Sequence, residues 1–258
     1  MSGNPVWDPE QYLRFGDERL RPALDLLARV QHPGPARVVD LGCGSGSAMP
    51  ALRSRFPGAA LRGVDGSAEM LAKARAAGFD TDQADIAAWT PAAPVDVLFS
   101  NAALHWLPDH ATLFPRLLGR LAPGGVLAVQ MPHMHAAPVR AAQDRLAAEG
   151  PWARPLAGVT SAPPVADAPW YYDLLAPRTA ALDIWTTEYL HVLRGEDPVA
   201  RWAMGSSLRP YIEALKDEPE LREGFLAAYA DEMRRAYPPQ ADGAVLLPFR
   251  RLFIQARV

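Results

Sequence analysis

The chain has a single cysteine, Cys43, in 258 residues. No internal disulfide can form, and a cysteine-based zinc site would lack ligands. Such usage suits a reducing compartment, and a cytoplasmic protein without a metal is expected. Nor is there an excess of positive charge. The 26 Lys+Arg against 29 Asp+Glu leave a formal net charge of −3, so no general attraction to phosphate backbones or anionic membranes arises. Neither nucleic acid nor membrane is an expected partner. No apolar run approaches the about 18 residues that a membrane span needs. Met1 to Asp8 has no basic start followed by an apolar core, so no signal peptide is expected. Internal repeats and low-complexity tracts are absent as well. What remains is 49% hydrophobic and 21% charged, the composition of a folded globular protein rather than a disordered or fibrous one.

Along the chain, short apolar runs alternate with helical patterns. Asp17 to Val30 places Leu20, Ala23, Leu24 and Leu27 at helical spacing before Pro33-Gly34-Pro35. Arg37 to Leu41 is a β-branched run that opens directly into Gly42-Cys43-Gly44-Ser45-Gly46, and Ala48 to Arg55 then reads as helix. Leu61 to Asp65 is a second strand, with Ser67 capping a helix that runs to Ala77. Val95 to Ser100 and Val126 to Met131 are further strands. Between them lies a helix from about Asp109 to Leu121, ended by Pro123-Gly124-Gly125. Pro132 to Pro177 reads as an irregular, partly helical insertion, Ala181 to His191 as a strand, Pro198 to Leu215 and Glu218 to Tyr237 as helices, and Arg251 to Val258 as a last strand. This order predicts an α/β fold: a doubly wound, mostly parallel seven-stranded sheet with a helical cap. One domain spanning 1–258 is expected. It divides into an N-terminal segment (1–35), a core (36–131) and insertions at 132–180 and 195–250.

Glycines after a buried strand allow a sharp turn and close approach of the backbone to a ligand, while the next helix offers N–H groups to an anion. Here the spacing is Gly-x-Gly-x-Gly, with Ser47 where a dinucleotide fingerprint has its third glycine, and no Gly-Lys-Ser/Thr follows. Asp40 just before the turn adds a carboxylate, which suits a cationic ligand better than a phosphate. Asp65 ends the second strand, where an acid can accept from both ribose hydroxyls. Asp85 could accept from an adenine amino group beside Ile86, although Asp40 and Asp85 are each also readable as helix caps.

The set Asp40, Gly42-x-Gly44-x-Gly46, Asp65 and Asp85-Ile86 resembles the cofactor motifs of class I S-adenosylmethionine-dependent methyltransferases. The resemblance implies that Asp40, Gly42, Cys43, Gly44, Gly46, Asp65, Gly66, Ser67, Met70, Asp85, Ile86 and Asn101 bind S-adenosylmethionine. Asn101 would sit near the transferable methyl. Cys43 fits the turn because it is small and has no nucleophilic role.

Over the rest of the chain the resemblance narrows. Trp7-Asp8-Pro9, Tyr12-Leu13-Arg14-Phe15, Leu104 to His110, Val129-Gln130-Met131-Pro132, Tyr171-Tyr172-Asp173, Leu208-Arg209-Pro210 and Arg251-Leu252-Phe253-Ile254 look like segments of trans-aconitate 2-methyltransferases. His105 departs from the glutamine expected there, and Arg250 from a proline. The implied acceptor is a small carboxylic acid held by Tyr12, His105, Trp106, Tyr172, Arg209 and Arg251, in a monomer or weak homodimer. Arg14, Arg19, Arg194 and Arg201 are further candidate cations. A carboxylate is already ionised near neutral pH, so no catalytic acid or base is expected, only positioning residues. A malonyl thioester, a phenol or an amine remains an alternative acceptor, because the core motifs do not distinguish them.

Overall fold

A computed structural model describes residues 16–160, 163 and 165–258. Tyr12, Trp7 and Arg14 lie outside them. The described residues fall into two compact units, one of 17–132, 165–187 and 251–258, the other of 16, 133–160, 163 and 188–250.

In the first unit, helix α1 (Gly16–Arg29) leads into β1 (Arg37–Leu41). There follow α2 (Met49–Arg55), β2 (Ala60–Asp65), α3 (Ala68–Ala76), β3 (Thr81–Gln83), β4 (Val95–Asn101), α4 (His110–Leu118) and β5 (Leu121–Pro132). Helix α5 (Pro138–Ala148) belongs to the second unit and α6 (Ala168–Leu175) to the first, ahead of β6 (Ala181–Leu193). Helices α7 (Pro198–Met204), α8 (Arg209–Ala214) and α9 (Pro219–Ala236) precede β7 (Val245–Arg257). The strands form a seven-stranded sheet in the order β3-β2-β1-β4-β5-β7-β6. β1 through β5 pair in parallel, whereas β5 and β7 are antiparallel. The expected mostly parallel sheet is present. Its central strands are buried on both faces: along β1, Val38 and Val39 point oppositely and both are covered.

Two boundaries differ from the sequence reading for definite reasons. Pro123-Gly124-Gly125 does not end a helix, since α4 stops at Leu118 and β5 already begins at Leu121. The Pro-Gly-Gly stretch is absorbed as an irregularity in the β4–β5 ladder, whose register jumps from Val95↔Leu121 to Val97↔Val126. The helix expected over Pro198 to Leu215 is two, because 205–208 turns the chain before Arg209-Pro210, where proline sits comfortably in a first helical turn.

Each unit has its own core. In the first, Leu41, Val64, Leu98, Phe114, Leu127, Val129, Leu252 and Ile254 pack together. In the second, Trp152, Tyr211, Phe225, Tyr229 and Leu247 pack with neighbours from α5, α7 and α9.

Candidate active site at the carboxyl ends of the first unit's strands

The turn after β1 is tied down by its neighbours. The N–H groups of Gly42 and Cys43 both donate to the Val64 carbonyl, at 2.7 and 3.0 Å. The Gly44 N–H donates to Asp65 Oδ2 at 2.8 Å, and that of Gly46 to the Cys43 carbonyl at 2.9 Å. These four donors are therefore spent within the protein, and helix α2 starts only at Met49. None of these four is left for an anion. What the turn brings to a ligand is close backbone and carboxylate oxygen.

Gly42, Gly44 and Gly46 adopt φ of 82°, 55° and 83°, values that side chains other than glycine's rarely tolerate. At Gly42 the space is closed too: an added Cβ would lie 2.1 Å from the Ala103 Cβ and 3.3 Å from the Ile86 Cδ1. At Gly44 only the flexible Met70 Cε comes near, at 3.4 Å. The fold thus brings Gly42, Gly44, Met70 and Ile86 together, although they come from three separate segments: the turn after β1, the start of α3 and the loop after β3. Ser67 caps α3 by accepting from the Met70 N–H at 3.3 Å, and Gly66 is exposed between Asp65 and that cap. Cys43 is buried, and burial together with the charges of Asp40 and Asp65 pushes its thiol up, so it stays protonated.

The three carboxylates differ in setting. Asp65 accepts from Gly44 through Oδ2 and from the Ser67 N–H through Oδ1 at 2.9 Å, each oxygen keeping lone-pair capacity for a further donor. Asp85 is exposed and accepts from the Ala87 N–H at 2.8 Å, a local turn cap. Asp40 is buried, and among the described residues its Oδ2 meets no donor. Burial, and then repulsion from Asp65, raises its pKa to about 7.

That shift has a consequence for stability. Asp40 binds a proton in the folded protein over a pH range in which the unfolded chain has lost it, so stability falls as pH rises from about 4 to about 7. The loss is of order 4 kcal/mol once pH exceeds the folded pKa. We expect chemical denaturation of the ligand-free protein to show this decline, and Asp40→Asn to remove it. Parallel stability–pH profiles for the two proteins would contradict the assignment.

Past β4 the chain makes a strained turn. Ala102 has φ 52°, a left-handed conformation that costs a non-glycine residue about 1–2 kcal/mol. It is held by its N–H donating to the Gln130 carbonyl at 2.9 Å, and it folds Ala103 against Gly42. Asn101, just before it, keeps a buried Oδ1 with no donor among the described residues. The 3-10 turn Leu104–Trp106 follows. His105, 8% exposed, is buried rather than at the surface, and its ring lies 4.7 Å from that of Trp106. This turn is anchored by His110, whose Nε2 donates to the Leu104 carbonyl at 2.9 Å and whose Nδ1 accepts from the Tyr171 hydroxyl at 2.5 Å. A carbonyl can only accept, so the tautomer is fixed.

The expected acceptor residues are divided between the two units. Arg251 is buried in β7, with Nη1 3.4 Å from Gln130 Oε1. Tyr172 on α6 is 57% exposed. Arg209 opens α8 in the second unit and is half-buried. Arg194 and Arg201 lie at the surface, paired with Asp242 at 2.6 Å and Glu196 at 3.3 Å. Ala102, Ala103, His110 and Gln130 were not anticipated. Of these, His110 and Gln130 lay in segments that carried the family resemblance, and Gln130 was also a lone amide inside the apolar run Val126 to Met131.

Comparison with known proteins agrees in direction. A family model described as a methyltransferase domain matches residues 12–173. A trans-aconitate 2-methyltransferase of Azoarcus sp. (strain BH72) is 50% identical over 256 residues, covering 98% of this chain and 99% of that protein. One of Methylobacterium nodulans is 49% identical, covering 97% and 98%. Among solved structures, the YcgJ protein of Bacillus subtilis superposes with a TM-score of 0.59 over 91% of this chain and 96% of that one. Its identity is only 14%, so the likeness is one of fold.

Proposed function

The chain belongs to the trans-aconitate 2-methyltransferase family, and on that premise we propose that it transfers a methyl group from S-adenosylmethionine to a carboxylate of trans-aconitate. Likeness to the Azoarcus protein over nearly the whole of both chains carries this reading, because it extends beyond the cofactor motifs into the segments that choose an acceptor. The test is turnover of S-adenosylmethionine with a panel of di- and tricarboxylic acids, thioesters, phenols and amines. Turnover confined to the last three groups would overturn it.

The residues fit the cofactor on two counts. Gly42 and Gly44 hold the turn in left-handed backbone that side chains rarely adopt, and Asp40 presents a buried oxygen that no protein donor satisfies. In this reading Asp65 holds the ribose hydroxyls, Asp85 and Ile86 the adenine, and Asn101 with the turn after it the methionine end. When bound, the cofactor would supply an activated methyl group for transfer to an acceptor carboxylate oxygen. The attacking group is already ionised, so the protein has no proton to move. Its contribution is to hold two opposite charges in line away from bulk water. His105, Trp106 and Arg251 line this acceptor side. Among the described residues no helix is long and apolar enough to cross a membrane, which suits a cytoplasmic enzyme.

Asp65→Ala is expected to weaken S-adenosylmethionine binding by about 1–3 kcal/mol, because a charged acceptor is lost. It also releases the Gly44 and Ser67 N–H groups, whereas Asp65→Asn keeps one acceptor oxygen and should lose less. Calorimetry giving wild-type affinity in both variants would displace the ribose from Asp65.

A further inference from the structure

The ladders at the carboxyl end of β5 set up a row of polar side chains on one face. Asn101 on β4 is in register with Gln130 on β5, and Gln130 with Phe253 on β7. Register partners project to the same side of a sheet, and so does a residue two positions along. Arg251 therefore shares the face of Gln130. The opposite face at this level is core, with Val129, Met131, Leu252 and Ile254 all fully covered.

Gln130 is 0% exposed and Arg251 5%. Arg251 Nη1 donates to Gln130 Oε1 at 3.4 Å. A guanidinium has no acceptor to offer, so this contact fixes which way the amide faces. Oε1 points to Arg251, and Nε2 is left to serve something else. Among the described residues Nε2 meets no acceptor. A buried N–H without an acceptor is costly, and native interiors rarely keep one that has no purpose.

We propose that Gln130 is an acceptor-binding residue: Nε2 donates to a carboxylate of the methyl acceptor, while Oε1 orients Arg251 toward the same anion. The assignment rests on the carboxylic-acid reading given above. It divides the amide into two separable functions, one donor and one acceptor, and the two can be deleted independently. Gln130→Glu keeps an oxygen for Arg251 and replaces only the donor. Gln130→Met removes both while keeping the volume.

Initial rates with trans-aconitate, cofactor affinity by calorimetry and melting temperature are measured for both variants and the wild type. Gln130→Glu should raise KM for trans-aconitate by roughly 10–150-fold, the equivalent of a hydrogen bond to a charged group. Its cofactor affinity should stay within about two-fold of wild type. Gln130→Met should also raise KM, with a melting temperature close to wild type in the ligand-free protein, because removal of an unsatisfied donor is set against the loss of Arg251's acceptor. If Gln130 only supports Arg251, Gln130→Glu will keep a wild-type KM and Gln130→Met alone will be impaired, which overturns the proposal. Wild-type protein that methylates no carboxylic acid overturns the functional reading and this assignment with it. Wild-type turnover combined with an unchanged KM in Gln130→Glu overturns this assignment alone.

Discussion

Gly42→Ala is expected to lose cofactor binding and to destabilise the protein by roughly 2–4 kcal/mol, a large fraction of a typical folding free energy. Two costs add. The first is conformational, since φ is 82°, and glycine accepts that value at about 1 kcal/mol less than alanine. The second is steric: the new methyl group would sit 2.1 Å from the Ala103 Cβ. That atom is fixed to a backbone already strained at Ala102, so it cannot swing away, and overpacking of this kind costs about 1–3 kcal/mol or more. Gly124→Ala separates the two contributions, because Gly124 has φ 78° but nothing within 4 Å of an added Cβ. It should show the conformational cost alone. Gly44→Ala should be intermediate in binding and mild in stability, its nearest neighbour being the movable Met70 Cε. Denaturant midpoints and cofactor titrations for the three variants would rank them; Gly42→Ala no worse than Gly124→Ala would mean that Ala103 yields and the turn is not closed.

That pair, Gly42 and Ala103, also marks where the sequence stopped being readable. The glycine turn, its flanking carboxylates and the alternation of strand and helix are local patterns, and they are local in the structure too. Strand β1 runs straight into the turn, and Asp65 reaches back across one ladder rung to hold Gly44. Ala102 has no such signature, because alanine in a left-handed conformation is chosen by what surrounds it. The Gln130 carbonyl, 28 residues away, holds that conformation. The link between His110 and Tyr171 spans 61 residues, and no periodicity reports a contact at that range. Pro123-Gly124-Gly125 misled for a related reason. Prolines and glycines break regular structure, but a ladder with neighbours on both sides can carry a defect that an isolated segment could not. Gln130 was visible as an anomaly in an apolar run, yet its meaning needed the register that sets it beside Asn101 and one strand from Arg251.

Arginines posed the opposite problem, with too many candidates and no local pattern to choose among them. The structure sorts them by setting. Arg194 and Arg201 are exposed and held in surface ion pairs with Asp242 and Glu196, contacts worth about 0–1 kcal/mol each. Arg251 is buried on the central sheet beside an oriented amide, where a guanidinium is costly to keep and therefore informative. Arg251→Ala is accordingly expected to lower kcat/KM for trans-aconitate by the equivalent of about 2–5 kcal/mol, mainly through KM. Cofactor affinity should change little, because two strands, β4 and β5, lie between Arg251's strand and the one that runs into the glycine turn. Lysine should rescue in part, supplying the charge without the bidentate fork. Arg194→Ala and Arg201→Ala serve as controls and should stay within about 0.5 kcal/mol of wild type. A purely structural role for Arg251 gives a different signature: the melting temperature falls, kcat and KM of the surviving fraction stay normal, and lysine is no better than alanine. Kinetics normalised to folded protein decide between them, and a wild-type KM in Arg251→Ala would remove the arginine from the acceptor site.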